Sequence, residues 1–310
     1  MKNIILLPLA LLSIFFVGCD VESPLSKDLY PQKVYIVGSP DLIVDRDLNL
    51  GNITDTVTIS VAVSGSRPTT KDVTATVGEQ DSAVINYDYK NLSNLVTQYR
   101  KLDTAVYKYP SKSVIIKAGK VYNTFPIYIK TATFQCDSLY MLPLKLTSTS
   151  AYALTKTDTL ALLRLNMVNK YSGSYYMYGV IRNTTNDNDT LVYKMSRTLL
   201  ATDNGQTVRM YHYNNEYNQG DTQDYRPSFA FKITVNAKDN TLSFATWKNF
   251  GIIDGGGTYN STLSLYNLWY TFKDSNGVIW KTVGYLYLTP TTAAGSHLIS
   301  DFIDDNPLGK

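Results

Sequence analysis

The chain of 310 residues has only two cysteines, Cys19 and Cys136, and two histidines, His212 and His297. A disulfide framework needs paired cysteines, so stability must come from packed cores. No Gly-x-Ser-x-Gly or His-Glu-x-x-His sequence occurs, and no phosphate-cradling glycine loop, so neither a nucleophile elbow nor a zinc protease helix is written in the chain. Charge of one sign is also lacking. There are 29 Lys and Arg against 26 Asp and Glu, with no basic cluster, which excludes an electrostatic grip on nucleic acid. Beyond the N-terminus no apolar run is long enough to cross a bilayer. Helical periodicity is scarce as well. The one helical turn expected is "NLSNLVTQY", Asn91 to Tyr99.

What is present begins at the start of the chain. Lys2 precedes an almost wholly apolar stretch from Ile4 to Gly18, too short to span a membrane and shaped like a secretory signal. Val17-Gly18-Cys19 resembles a bacterial lipobox, with Phe16 where leucine is usual. The reading is a signal peptide over 1–18 and acylation of Cys19; the alternative is an ordinary signal with an incidental cysteine. "DVESPLSKDLYPQ", with two prolines and little apolar content, serves as a tether within a linker over 19–32. Several acyl chains, at about 0.8 kcal/mol per buried methylene, hold a protein to a membrane without any spanning segment.

Removing residues 1–18 leaves 292, enough for two domains. Tyrosine is abundant: 25, against 10 Phe and 3 Trp. Tyrosine favours strands, and its apolar face and polar tip suit wet binding surfaces. Period-two alternation dominates. "TVTISVAVS" puts Val57, Ile59, Val61 and Val63 on one face and Thr or Ser on the other, as in a half-buried strand. "SVIIKAGKVYNTFPIYIK" reads as two strands around Ala118-Gly119-Lys120; "YMLPLKLTS" and "TLALLRLNM" read as two more. The fold class is all-β. Residues 33–168 are expected to form an immunoglobulin-like antiparallel β-sandwich. Residues 169–310 are expected to form an antiparallel β-barrel of lipocalin or calycin type, or a second sandwich. Around Asn276-Gly277, "SLYNLWYTFKDSNGVIWKTVGYLYL" is the clearest hairpin. A two- or four-residue loop puts Trp269, Thr271, Trp280 and Thr282 on one face; a three-residue loop flips that parity.

Chemistry is sparse. "DGGGTYN", Asp254 to Asn260, reads as a flexible loop, and "NDNDT", Asn186 to Thr190, as a polar turn, lacking the glycine and glutamate of a calcium loop. Cys136 has no basic neighbour in sequence and reads as inert. Acidic residues such as Asp239, Asp274, Asp304 and Asp305 sit in turn-like contexts, so a glycoside hydrolase pair is only a remote alternative. No catalytic residue, metal or cofactor is assigned. Aromatics suggest sugar stacking instead, at Trp247, Trp269 and Trp280, and in "YHYNNEYNQGDTQDY", read as an exposed loop that offers Tyr211, Tyr213, Tyr217 and Tyr225. Tryptophans within a regular hairpin are, by the simpler reading, core.

"VSGSRPTTKDVTATV", "AGKVYNTFPIYIK", "SLYMLPLKLTSTS" and "NKYSGSYY" resemble the two-module lipoproteins of unknown function in gut Bacteroidota. The N-terminal module is similar to the one preceding family-18 glycoside hydrolase or laminin-G-like domains; the C-terminal module is of the kind that opens on a Gly-x-Tyr strand. The resemblance implies an outer-membrane, outward-facing lipoprotein, encoded with an outer-membrane glycan importer and binding oligosaccharide or polysaccharide. Asp20 and Glu22 partly match the acidic export signal of that lineage. It also implies O-glycan acceptors at Asp-Ser/Thr-apolar sites: Thr56, Ser82, Thr104, Ser138, Thr159 and Thr190. The same motif is ordinary turn chemistry. A structural or adhesive envelope protein that binds protein partners is the alternative function.

Overall fold

The computed structural model describes residues 30–39, 42–93, 97–202, 205–212 and 222–307. Cys19, the signal segment and most of the linker lie outside the described residues. The first module contains β1 (Lys33–Ile36), β2 (Ile43–Asn49), β3 (Thr54–Val63), β4 (Val73–Glu79), α1 (Ser82–Leu92), β5 (Tyr99–Lys101), β6 (Tyr107–Lys108), β7 (Ser113–Ile116), β8 (Tyr122–Lys130), β9 (Leu139–Thr149), β10 (Ala153–Leu154) and β11 (Leu160–Val168). One sheet runs β10-β1-β3-β8-β6; the other runs β2-β11-β9-β4-β7, with β5 beside β9. Their inner faces meet in one core. Val57, Ile59, Val61 and Val63 are buried there against Phe125, Ile127, Leu142 and Leu144, as the alternation requires.

Two expectations for this module change. The sandwich is not wholly antiparallel: β1 pairs with β10, β2 with β11 and β5 with β9 in parallel. The two strands read around Gly119 are β7 and β8; β7 joins β4 while β8 joins β3, so the turn crosses between sheets. The helix lies mostly before Asn91. Its buried face is Ala83, Val84, Asp88 and Leu92, with Ile85 and Tyr89 exposed, so an apolar-stripe search passes over it. Asp88 accepts the Tyr99 backbone N–H at 3.2 Å, which ties the helix to β5.

The second module contains β12 (Gly173–Asn183), β13 (Asn186–Ala201), β14 (Thr207–Tyr211), α2 (Arg226–Phe229), β15 (Ala230–Val235), β16 (Leu242–Thr246), β17 (Gly251–Asn260), β18 (Leu265–Lys273), β19 (Ile279–Leu288) and α3 (Ala293–Asp305). Its strand order is β16-β15-β14-β13-β12-β19-β18-β17. Every neighbour is antiparallel, and β19 returns to β12, so this is an up-and-down barrel rather than a second sandwich. The seam between β16 and β17 closes at one end only, where Thr241 bridges Thr258 and the Tyr259 N–H donates to Asn240 O at 2.8 Å.

Tyrosine fills this barrel more than it decorates a surface. Tyr175, Tyr266 and Tyr270 are buried among Met177, Phe231 and Leu268. Their tips are satisfied: Tyr175 and Tyr266 hydroxyls both donate to Tyr171 O, at 3.1 and 2.8 Å. The segment "DGGGTYN" is no loop but part of β17, laddered onto β18. Gly257 has φ +138, and a β carbon there would stand 2.1 Å from Asn267 O, so the close approach of the two strands demands glycine. Asn186 to Thr190, read as a polar turn, is the irregular start of β13, where the β12 register shifts next to Asn183. Helix α3 begins at Thr292, whose hydroxyl accepts the Gly295 N–H at 3.1 Å, and lays Ile299 and Phe302 over Leu265 and Tyr285 on the barrel wall.

Candidate functional site: the barrel mouth and the module junction

The hairpin turn determines where the tryptophans go. Lys273 pairs with Ile279, leaving five residues, Asp274 to Val278, in the turn. An odd loop flips the parity expected from a two- or four-residue loop. Trp280 therefore shares the inner face with Phe272, Tyr270 and Thr282, whereas Trp269 lies outside with Lys281 and Val283. Asp274 shapes this turn. One carboxylate oxygen accepts the Asn276 and Val278 N–H groups, each at 2.9 Å; the other accepts the Trp280 indole N–H at 3.0 Å. The indole bond, with the backbone donors, holds the Asp274 carboxyl below the usual carboxylate range.

Trp280 stands at the rim of a cavity of about 740 Å³ at the barrel mouth. Ile181, Phe229, Phe250 and Phe272 supply its apolar wall; Ser228, Asn249 and Ser275 supply hydrogen-bonding groups. Phe250 and Phe272 stack at 5.0 Å, and the His212 ring meets Phe272 edge-on at 4.2 Å. Burial, reinforced by the Arg197 charge, pushes His212 down to about 3, so it lines the cavity as a neutral ring. Its Nδ1 lies 3.2 Å from the Tyr270 hydroxyl. A recess with an aromatic wall and a few convergent polar groups, Lys273 and Asp274 among them, suits a ring-shaped polar ligand.

The modules meet at Asp137. One carboxylate oxygen lies 3.1 Å from Arg209 Nε and 3.5 Å from Arg226 Nη1; the other accepts the Trp247 indole N–H at 2.7 Å. The Asp137 carbonyl also accepts from Arg226 Nη1 at 2.8 Å. Arg226 grips Asp224 with two further bonds, at 2.8 and 3.0 Å. Beside them is a polar cavity of about 570 Å³, bordered by Thr97, Arg100 and Ser138. Asp137 and Asp224 are a pair of carboxylates lining this cavity, and both are engaged by arginine. Burial alone would raise Asp224, but Arg226 holds it below the usual range. A glycosidase acid needs the opposite shift. Cys136, shut beside this junction, is pushed up to about 11 by burial and is a poor nucleophile.

The residues singled out in the sequence do not converge. Trp280 is at the mouth, Trp247 at the junction and Trp269 on the outer wall. Tyr211, expected on an exposed loop, is the last residue of β14 and is 1% exposed, with the Arg209 guanidinium 5.0 Å from its ring centroid. Tyr225 is exposed near α2; Tyr213 and Tyr217 lie outside the described residues. Thr56, Ser82, Thr104 and Thr190 are exposed, while Ser138 and Thr159 are half-buried. Phe250, Phe272, Asn249 and His212 were not anticipated, because phenylalanine in an alternating strand carries no sign of standing at a barrel rim.

One family model, described as an N-terminal domain, matches residues 30–153, and a companion described as C-terminal matches 159–286. The chain carries both modules of this two-module family, which together span most of it. A multidomain protein including DUF1735 from Bacteroides ovatus is similar in fold, with a TM-score of 0.60 and 16% identity over 82% of this chain and 94% of that one. A Bacteroides ovatus protein of unknown function gives 0.59 and 18%, over 86% and 99%. An auxiliary nutrient binding protein from Bacteroides thetaiotaomicron gives 0.59 and 16%, over 81% and 92%. Such likenesses establish the fold shared by this family. No curated protein matches the chain in sequence.

Two outcomes are expected. Asp137→Asn leaves Arg209 and Arg226 buried beside a neutral partner and should cost about 3 kcal/mol, read as a lower urea midpoint; an unchanged midpoint would remove Asp137 from its role. Because the folded His212 resists protonation, the unfolded chain binds the extra proton between about pH 6.5 and 3, and stability falls as pH falls through that window. From pH 7 to 5 the loss should be about 2 kcal/mol. His212→Gln should flatten that part of the profile, and an equally steep slope in the variant would assign the loss to other groups.

Proposed function

We propose that this protein is a non-catalytic, carbohydrate-binding lipoprotein of the outer membrane. Cys19 carries the acyl anchor, residues 19–32 form the tether, the sandwich acts as spacer, and the barrel mouth holds the sugar. The mouth carries the reading: Trp280 fixed by Asp274, with Phe250 and Phe272 stacked beside it and Asn249 and Ser228 at hand, matches the apolar faces and hydroxyl rims of a pyranose. A similar fold occurs in a protein described as nutrient binding, which supports a binding role. The junction favours the absence of chemistry, since its carboxylate pair is spent on arginines. Captured glycan would pass to an outer-membrane importer.

Calorimetry of the mature protein against plant and host oligosaccharides should find at least one ligand, with Trp280→Ala and Phe250→Ala each weakening it about tenfold or more, equal to about 1.4 kcal/mol. A folded protein that binds nothing across a broad panel, or binds equally well without these rings, would overturn the assignment. Mass spectrometry of the native protein should find acyl groups on Cys19, and Cys19→Ser should release the protein from the membrane fraction. An unmodified Cys19 would refute the anchor.

A further inference from the structure

The outward face of the barrel wall has its own composition. Register places Trp269, Val283, Val180 and Val192 in one row across β18, β19, β12 and β13. The adjacent row contains Thr271, Lys281, Arg182 and Thr190. Lys281 and Arg182 are directly opposite each other, a pairing that costs stability in a sheet unless something neutralises it. Lys273 and Lys194 point to the same side. No ion pair among the described residues engages any of these four cations. Asp254 pairs across from Thr271, so it stands two strands from Lys281, about 10 Å away. Its carboxylate accepts the Gly255 N–H at 2.8 Å.

Trp269 forms a plate beside this charge. Three atoms of its indole are 3.2 to 3.3 Å from where a β carbon of Gly256 would stand, so the ring lies across the glycine. Lys281 Nζ is 5.9 Å from the ring centroid. A recess of about 380 Å³ opens here, with Thr258 and Asn267 on its border. The arrangement joins an aromatic platform, two neutral hydrogen-bonding side chains and Lys281, which faces Arg182 on the next strand, with Asp254 two residues along β17 from the glycine beneath the ring.

We infer that this outer wall is a second saccharide site, selective for carboxylate-bearing sugars: a hexuronate ring stacks on Trp269 while its carboxylate reaches Lys281 and Arg182. The site is separate from the mouth cavity and does not rest on the assignment made there. Charge complementarity selects the acidic sugar over a neutral one. A neutral ring gains the stacking but leaves two like charges facing each other.

The test is calorimetry of the full mature chain with hexagalacturonate, cellohexaose and chondroitin sulfate hexasaccharide. Hexagalacturonate should bind at least about tenfold more tightly than cellohexaose, and more weakly as salt rises and the Debye length shrinks from about 10 to 3 Å. The double variant Arg182→Gln, Lys281→Gln should lose that preference at least tenfold, as should Trp269→Ala, while Trp280→Ala at the mouth should retain it. Lys281 is exposed and Arg182 half-buried on the outer wall, and glutamine keeps most of each side chain's length, so the double variant tests the charges even if Trp269→Ala fails to fold. No binding of hexagalacturonate, equal binding of cellohexaose, a double variant that behaves like the parent, or loss in Trp280→Ala alone would each overturn the inference. Binding of the sulfated sugar without hexagalacturonate would overturn the choice of carboxylate.

Discussion

The five-residue turn between β18 and β19 determines which tryptophan a ligand can meet from inside the barrel and which from outside. A turn of even length would have placed both tryptophans on one face of the hairpin. Asp274 enforces the odd length by spending its carboxylate on two turn amides and the Trp280 indole. The same carboxylate thus sets the parity of a hairpin and fixes a side chain at the mouth. Local turn chemistry and the placement of candidate binding groups are here one event.

The junction shows a second economy of the same type. Asp137 belongs to the sandwich module, but Arg209, Arg226 and Trp247, three of its side-chain partners, come from the barrel. Two cations and an indole converge on one half-buried carboxylate. Such a cluster is directional, so it orients the modules as well as joining them. It also draws the tryptophan just after β16 to the junction rather than the mouth.

The strands were legible because alternation is a property of neighbouring residues. Val57, Ile59, Val61 and Val63 announce a buried face without any tertiary knowledge, and Asn276-Gly277 announces a turn. What could not be read depends on distance or count. Asn-Gly marks a turn but not its length, so parity stayed open. Gly255, Gly256 and Gly257 read as a loop because glycine weakens strands, whereas here close packing by Phe244 and Trp269 and the approach of the β18 backbone make glycine necessary. Helix α1 hid because its buried face includes Asp88. Asp137 read as part of a modification motif, since its partners are remote in sequence. Of the candidate site, one tryptophan was visible and its aromatic companions were not.

The seam between β16 and β17 has a mechanical consequence. Its hydrogen bond and bridge sit at the Thr241 end, far along the wall from Thr246 and Gly251, where the mouth begins. Near the mouth the two strands share no ladder, so this is the place on the rim where splaying would break no β-sheet bond.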